Sequence, residues 1–174
     1  MPPSLPSHTI EALSAVGRNV VNFQRLEQIL KHLALAAPIC VRLSTLQSAL
    51  ETRKAKSERL TLGVAVKKWI ESAYHTGPLQ DPQPVNEIIV SFGFVLQWLP
   101  GKLDQLSAEL ESLARERNSL IHLDLAQPNF EDEGECIALS IQLSAQNDRI
   151  IRAIEVLEAT LTGLQDLARR MASD

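Results

Sequence analysis

The chain has 174 residues, a length that fits one domain with a sizeable core. Its net charge of −4 argues against a sequence-independent nucleic-acid binder, which is normally basic, but is compatible with a local basic patch. Aromatic residues make up 4% of the chain and hydrophobic residues 45%, a balance that favours a helical bundle over a sheet protein.

No segment of the sequence indicates export or membrane insertion. The N-terminus is proline-rich and lacks the basic and apolar regions of a signal peptide, and no apolar stretch reaches spanning length. Cys40 and Cys136 are far apart in the sequence, form no Cys-x-x-Cys pair and are expected to be reduced. We therefore expect a cytoplasmic protein with no membrane association, in which residues 1–6 are disordered.

Apolar residues at steps of three and four predict that most of the chain is helical. The expected helices are Ser7–Ala36, Leu43–Arg53, Thr61–Tyr74, Gly101–Leu123 and Glu135–Met171. Pro38 ends the first helix, and Pro100 opens the fourth, because proline is tolerated at a helix start and not in its interior. The last helix has a coiled-coil-like seam, which Asn147 interrupts, and this amide is expected to fix register or to face a polar partner.

Residues 87–98 have a different pattern, in which β-branched and aromatic residues alternate as they do in a strand. One strand does not form a stable sheet by itself. We expect it to pair with a second strand near Gln47–Leu60, in place of part of the second helix, or with its own copy in a dimer. The predicted fold of residues 1–174 is thus a single, mainly α domain. We expect an up-and-down bundle of four to five helices with a small β element near residues 87–98.

The fourth predicted helix carries a positive charge on its apolar face. Leucines at positions 103, 106, 110, 113 and 120 mark that face, and Arg117 falls on the same series. A cation facing a packed seam is costly unless it is paired, hydrated or used chemically. Asn118 follows directly, and His122 follows five residues after Arg117. An obligate cation beside a side chain that titrates near neutrality suits the cleavage of a phosphodiester.

The run from Arg117 and Asn118 to His122, near the end of the penultimate long helix, resembles the motif of the HEPN superfamily. That motif is an arginine followed, commonly after a polar neighbour, by a histidine a few residues later. The resemblance extends over most of the chain through the order of the helices. It implies a metal-independent endoribonuclease that needs no cofactor. His122 would transfer a proton, Arg117 would stabilise charge on the phosphate, and Asn118 would orient one of them.

The resemblance also implies partners. RNA is the expected substrate, with Arg115, Arg53, Lys54, Lys56 and Arg59 as expected contacts. A homodimer is expected, in which two motifs face each other and form one composite site. If the protein is a toxic or defensive effector, a cognate antitoxin or a nucleotidyltransferase-like protein would be a further partner. No residue spacing in the chain predicts a metal site.

Helix geometry leaves the functional cation open. Residues five apart on a regular helix point about 140° away from each other. Arg117 and His122 therefore converge only if the helix end is distorted, if the arginine reaches around the helix, or if a second subunit supplies one of them. Arg115 shares a helix face with His122 and is the alternative cation.

Two other functions are compatible with these residues. In the first, Arg117 pairs with a buried carboxylate of the first helix, and His122 is a favourable helix C-terminal residue. The chain would then be a non-catalytic helical interaction module that assembles through the seam of its last helix. In the second, a nucleotide-binding regulatory protein, the same arginine and histidine would bind a mononucleotide without cleaving RNA.

Overall fold

The computed structural model describes residues 5–74, 88–94, 96–121 and 128–173. In these ranges the elements are α1 (Ser7–Leu35), β1 (Ile39–Arg42), α2 (Leu46–Glu58), α3 (Leu62–Ala73), β2 (Ile89–Phe92), α4 (Lys102–Ser119) and α5 (Glu133–Ser173). A single 3-10 turn joins β1 to α2. The prediction of a mainly helical bundle with a small β element is confirmed.

The two longest helices, α1 and α5, run in the same direction. Thr9 Oγ1, at the start of α1, donates a hydrogen bond of 2.7 Å to the carbonyl oxygen of Phe130, just before α5. Asn19, farther along α1, contacts Leu143, farther along α5. This pair of helices has the largest contact among the described elements. The height of any other element along the bundle can therefore be given by the residues of α1 and α5 that it contacts.

α4 runs in the opposite direction to α5. Glu109 of α4 is hydrogen-bonded to Arg149, whereas Glu116, two turns later, is hydrogen-bonded to Gln146, one turn earlier on α5. The end of α4 consequently lies level with Asn19 of α1, which also contacts Gln146. This arrangement brings the segment with the predicted motif near the level of Asn19 on α1.

The core is aliphatic and fills the space between α1, α3, α4 and α5. Trp69 and Trp98 form its aromatic pair, with ring centroids 5.9 Å apart and an interplanar angle of 89°, the edge-to-face geometry that aromatic rings favour. The fully buried large aliphatic side chains are Leu26, Leu30, Leu62, Leu110, Leu113, Leu120, Leu143, Ile150, Ile154, Leu157 and Val66. The central parts of the predicted apolar faces of the first, fourth and last helices therefore form this core, while Ile10, Leu13 and Met171, at the ends of those faces, are exposed.

The sheet corrects the predicted strand pairing. β2 pairs antiparallel with β1, with Ile39 opposite Phe92 and Arg42 opposite Ile89. The expected partner near Gln47–Leu60 is wrong, because α2 occupies most of that range. β1 directly follows Pro38, which cannot continue α1, and its β-branched residues favour an extended backbone. Within the described residues β2 is also shorter than the stretch 87–98.

Gly93 directly follows β2 and lies beside Pro38, the residue directly before β1. A Cβ atom at this position would be 2.7 Å from Cβ of Pro38, which is too close for a carbon–carbon contact. The absence of a side chain at Gly93 therefore permits this approach of the two segments.

Helix boundaries differ modestly from those expected. α2 continues to Glu58, past the expected end at Arg53, since the intervening residues contain no proline or glycine. α5 has 41 residues and begins at Glu133. None of the described helices is both long and apolar enough to cross a membrane.

Candidate functional site

Arg117 lies in the last turn of α4 and is only half-buried, although its position in the leucine series predicts that it faces the packed seam. Its Nη1 donates a hydrogen bond of 3.1 Å to Oδ1 of the adjacent, exposed Asn118. Within the part of the chain that the structure describes, the Arg117 guanidinium has no carboxylate partner. The structure therefore brings together two of the three predicted motif residues and leaves their polar groups accessible.

The nearest carboxylate in sequence, that of Glu116, is used elsewhere. Its two oxygens accept hydrogen bonds from Ser112 Oγ (2.9 Å), Arg149 Nη1 (2.8 Å) and Gln146 Nε2 (3.1 Å). Burial alone would oppose ionisation, but these donors outweigh it and hold the pKa of the Glu116 carboxyl below its ordinary value. Glu116 is thus an ionised partner of Arg149 and does not pair with Arg117.

Arg149 connects Glu116 to a second carboxylate of α4. Its Nε donates a hydrogen bond of 2.7 Å to Glu109, and this bond, with the contact to Glu116, raises the pKa of the Arg149 guanidinium despite some burial. The side chains of this group are about one-third exposed, so solvent screens the ion pairs. Their main effect is to fix which face of α4 lies against α5.

The same network continues into α1 through Asn19, a fully buried residue. Asn19 Nδ2 donates hydrogen bonds of 2.8 Å to the carbonyl oxygen of Leu143 and to Oε1 of Gln146. Asn22 Nδ2, one turn later on α1, donates a hydrogen bond of 2.7 Å to Oδ1 of Asn147. The polar partner expected for Asn147 is therefore on α1 of the same chain.

Beyond Ser119 the helix does not end in a regular α turn. Leu120 and Ile121 continue it as a wider π-type turn, a distortion that is frequent at functional sites. His122, the predicted proton-transfer residue, lies outside the described residues. Arg115, the alternative cation, is exposed on α4.

Arg53, a predicted RNA contact, has a structural role. Its Nη1 and Nη2 donate hydrogen bonds to carbonyl oxygens at the end of α1 and the start of the sheet, with 3.4 Å to Leu35 and 2.8 Å to Pro38. It also donates one to Ala37. Burial lowers the pKa of the Arg53 guanidinium. The Nη1 and Nη2 groups of Arg53 thus bind backbone carbonyls of the same chain. An interaction of Arg53 with RNA stays a prediction.

The other residues of the basic run, Lys54, Lys56 and Arg59, are exposed on and just after α2. This run is distant from Arg117 along the bundle. It lies against the last turns of α1, from Gln28 to Leu35, whereas the end of α4 is level with Asn19. These levels are separated by about 14 to 24 Å along α1 at 1.5 Å per residue. Within one chain the run and the motif therefore form two separate surfaces.

In the described ranges, no group of three or more histidine, cysteine, aspartate or glutamate side chains could hold a metal ion. A scan of protein-family models finds no matching family, and searches of curated proteins and of solved structures find no significant similarity. None of these comparisons therefore supports the expected resemblance to the HEPN superfamily.

The polar network is the part of the site that sequence reasoning missed. A signal for it was present, because Asn19 lies three residues after Val16 and four before Phe23, both on the apolar face of α1. An amide at such a position needs a buried partner. The identity of that partner, more than a hundred residues later, does not follow from local spacing.

Proposed function

We propose that this chain is a metal-independent endoribonuclease whose site contains Arg117, Asn118 and His122. The observation that supports this proposal most is the state of Arg117. The residue is half-buried while its guanidinium makes an exposed hydrogen bond to Asn118, and no carboxylate among the described residues neutralises it. Neighbouring Glu116 binds Arg149 instead. A phosphate group would supply the missing anion through charge-assisted hydrogen bonds.

The proposed reaction uses the ribose 2′-hydroxyl of RNA as its nucleophile. One histidine accepts the proton of this hydroxyl while the 2′-oxygen forms a bond to phosphorus. The bond between phosphorus and the 5′-oxygen breaks, and that oxygen leaves with a proton donated by a general acid. Arg117 stabilises the charge that develops on the phosphoryl oxygens. The products are a 2′,3′-cyclic phosphate and a free 5′-hydroxyl.

A homodimer would supply the second proton-transfer group, since two copies of His122 would then face one phosphate. Exposed apolar side chains at the motif end of the bundle support this arrangement. They belong to three helices and comprise Ile10, Leu13, Ile121, Ile137 and Ile141. Exposed aliphatic side chains at this end favour association through it. We place the dimer interface there and the reaction in the cytoplasm.

The proposal is tested by incubating the purified protein with RNA in EDTA, beside the variants His122→Ala and His32→Ala. His32 is an exposed histidine of α1 and serves as the matched control. We expect the wild type and His32→Ala to produce fragments with cyclic phosphate ends, and His122→Ala to produce none. Equal cleavage by the wild type and His122→Ala, or cleavage that needs a divalent ion, would contradict the proposal.

A second candidate function, that of a helical interaction module, is favoured by a groove between α4 and α5. The groove has a volume of about 780 Å³, and its lining includes Trp98, Leu99, Leu106 and Val156. Such a surface suits an apolar helix of a partner such as a cognate antitoxin or a nucleotidyltransferase-like protein. A stable complex with a partner, without RNA cleavage by the purified chain, would favour this function.

A further inference from the structure

A separate cavity of about 500 Å³ lies between the end of α1, α2 and α3. Its volume is within the range of about 300–1,000 Å³ that is usual for small-molecule sites. The cavity belongs to the end of the bundle near Ala34, far along α1 from the level of Arg117. It is therefore independent of the proposed ribonuclease site.

The charge of this cavity is opposite to that of the whole chain. The chain has 21 acidic and 17 basic residues, yet the described lining contains Arg53, Lys56 and Lys68 and no acidic residue. Lys56 is on α2 and Lys68 on α3, so the fold brings together two cations from separate helices. A concave surface with charges of one sign concentrates the positive potential and attracts anions.

Existing hydrogen bonds limit which lining groups can bind a ligand. Arg53 donates to backbone carbonyls and contributes mainly its charge. The hydroxyls of Ser48 and Ser57 donate to backbone carbonyls within α2 and the turn before it. The ammonium groups of Lys56 and Lys68 remain as exposed cationic donors of the lining, with the exposed Thr52 hydroxyl beside them.

We propose that this cavity binds the phosphate group of a small phosphorylated molecule of about mononucleotide size. The two lysines would bind the phosphate, a pairing of cation and anion that gives strong hydrogen bonds. Small apolar side chains on the same lining, Ala34, Ala49 and Leu60, would contact the uncharged part of the ligand. The confined volume and the acidic chain favour a small ligand over a long polyanion, which needs an extended basic surface.

The neighbouring lysines provide a matched control. Lys54 is on the same helix as Lys56 but lines a different, smaller cavity of about 290 Å³, together with the acidic residue Glu58. Lys67 is exposed and adjacent to Lys68 but does not belong to the described lining of the basic cavity. The pairs Lys56→Ala with Lys68→Ala and Lys54→Ala with Lys67→Ala thus change the net charge equally.

The test is calorimetric titration of the full chain with inorganic phosphate, adenosine 5′-monophosphate and adenosine. We expect phosphate and the mononucleotide to bind and to compete, while adenosine does not bind. The Lys56→Ala, Lys68→Ala pair should weaken binding by about tenfold or more, and the control pair by less than about twofold. Circular dichroism checks folding, and Lys68→Ala alone replaces the pair if the pair fails to fold.

Three results would overturn the proposal. One is the absence of saturable binding of both phosphate compounds to the wild type. Another is equal weakening by the two pairs of substitutions, which would indicate only a general charge effect. The third is tighter binding of RNA than of the mononucleotide. If a 5′-hydroxyl oligoribonucleotide displaces bound inorganic phosphate at a lower concentration than adenosine 5′-monophosphate does, the cavity is assigned to RNA. The oligoribonucleotide is titrated against His122→Ala, which is not expected to cleave it, so each result is independent of the proposed ribonuclease activity.

Discussion

Asn19 donates a hydrogen bond of 2.8 Å to Gln146, and Gln146 donates in turn to Glu116, the residue directly before Arg117. Three helices that are far apart in sequence thus meet in one chain of hydrogen bonds. Because Glu116 is fixed on both oxygens, the face that α4 presents to α5 is fixed as well. The accessibility of Arg117 and Asn118 depends on that orientation.

We expect Asn19→Ala to lower the free energy of unfolding by about 1–3 kcal/mol, because it leaves the buried Gln146 side-chain oxygen without its donor and removes the bond to the Leu143 carbonyl. Urea denaturation followed by circular dichroism measures this loss. Arg18→Ala is the control, since Arg18 is the exposed neighbour and its removal should change stability by less than about 0.5 kcal/mol. Equal changes in the free energy of unfolding for the two substitutions would show that the hydrogen bonds of the buried Asn19 amide do not stabilise the fold.

The lowered pKa of Glu116 makes part of the stability dependent on pH. Its folded-state pKa lies below the ordinary value of 4.5, so ionised Glu116 stabilises the fold above that pH. The contribution is lost as the pH falls through the folded-state pKa. We expect Glu116→Gln to be less stable than the wild type at pH 7 and to lose less stability between pH 5 and pH 3. Thermal unfolding across this range measures both effects, and exposed Glu111→Gln should follow the wild type.

Substitutions of the two arginines at the end of α4 decide which one acts on RNA. We expect Arg117→Ala to reduce cleavage by about 10²–10³-fold, a typical loss for a group that stabilises transition-state charge. Arg115→Ala, which removes an exposed cation two residues away, should reduce it much less. Initial rates with a defined RNA and unchanged melting temperatures are the measurements. If the order of the two effects is reversed, Arg115 is the functional cation.

The proposed dimer interface predicts an unequal effect of two similar substitutions on α5. Ile141 and Met171 are both 67% exposed, but Ile141 is at the motif end and Met171 at the opposite end. We expect Ile141→Asp to convert the dimer to monomer, because it introduces a charge into an apolar contact. Met171→Asp should leave the dimer intact. Sedimentation velocity distinguishes the two species, and a wild type that is monomeric at all concentrations would exclude this interface.

The hydrogen bonds of Arg53 predict that lysine cannot replace it. A lysine side chain at this position would keep the charge but lose the planar fork that reaches several carbonyls at once. We expect Arg53→Lys to lower the free energy of unfolding by about 1 kcal/mol or more. Exposed Arg59→Lys is the control, with an expected change below about 0.5 kcal/mol. Melting curves of the two variants measure the difference.

Periodicity predicted the helices well because each apolar face is a local pattern with a buried counterpart. It placed Arg117 on the apolar face of the fourth helix, whereas the structure has this residue only half-buried, with an exposed hydrogen bond to Asn118. The strand partner was missed because β1 has only four residues and directly follows a long helix. Its signal, Pro38 followed by β-branched residues, is shorter than the window that a periodic pattern needs.

The polar network lay beyond sequence reasoning for another reason. The contact of Glu116 with Arg149 joins residues 33 positions apart, and that of Asn19 with Gln146 joins residues 127 apart. Local spacing shows that a buried amide requires a partner but does not choose among the distant polar side chains. That choice follows from helix directions and rotations, which depend on packing across the whole bundle.

The parallel course of α1 and α5 has a practical consequence for engineering. Leu5 and Ser173 are at opposite ends of the bundle, separated by roughly the length of α5, about 60 Å for its 41 residues. Two copies that meet at their motif ends therefore cannot be fused through a short connector. A tandem version of the protein requires a tether that reaches the full height of one copy, about 20 residues of extended chain.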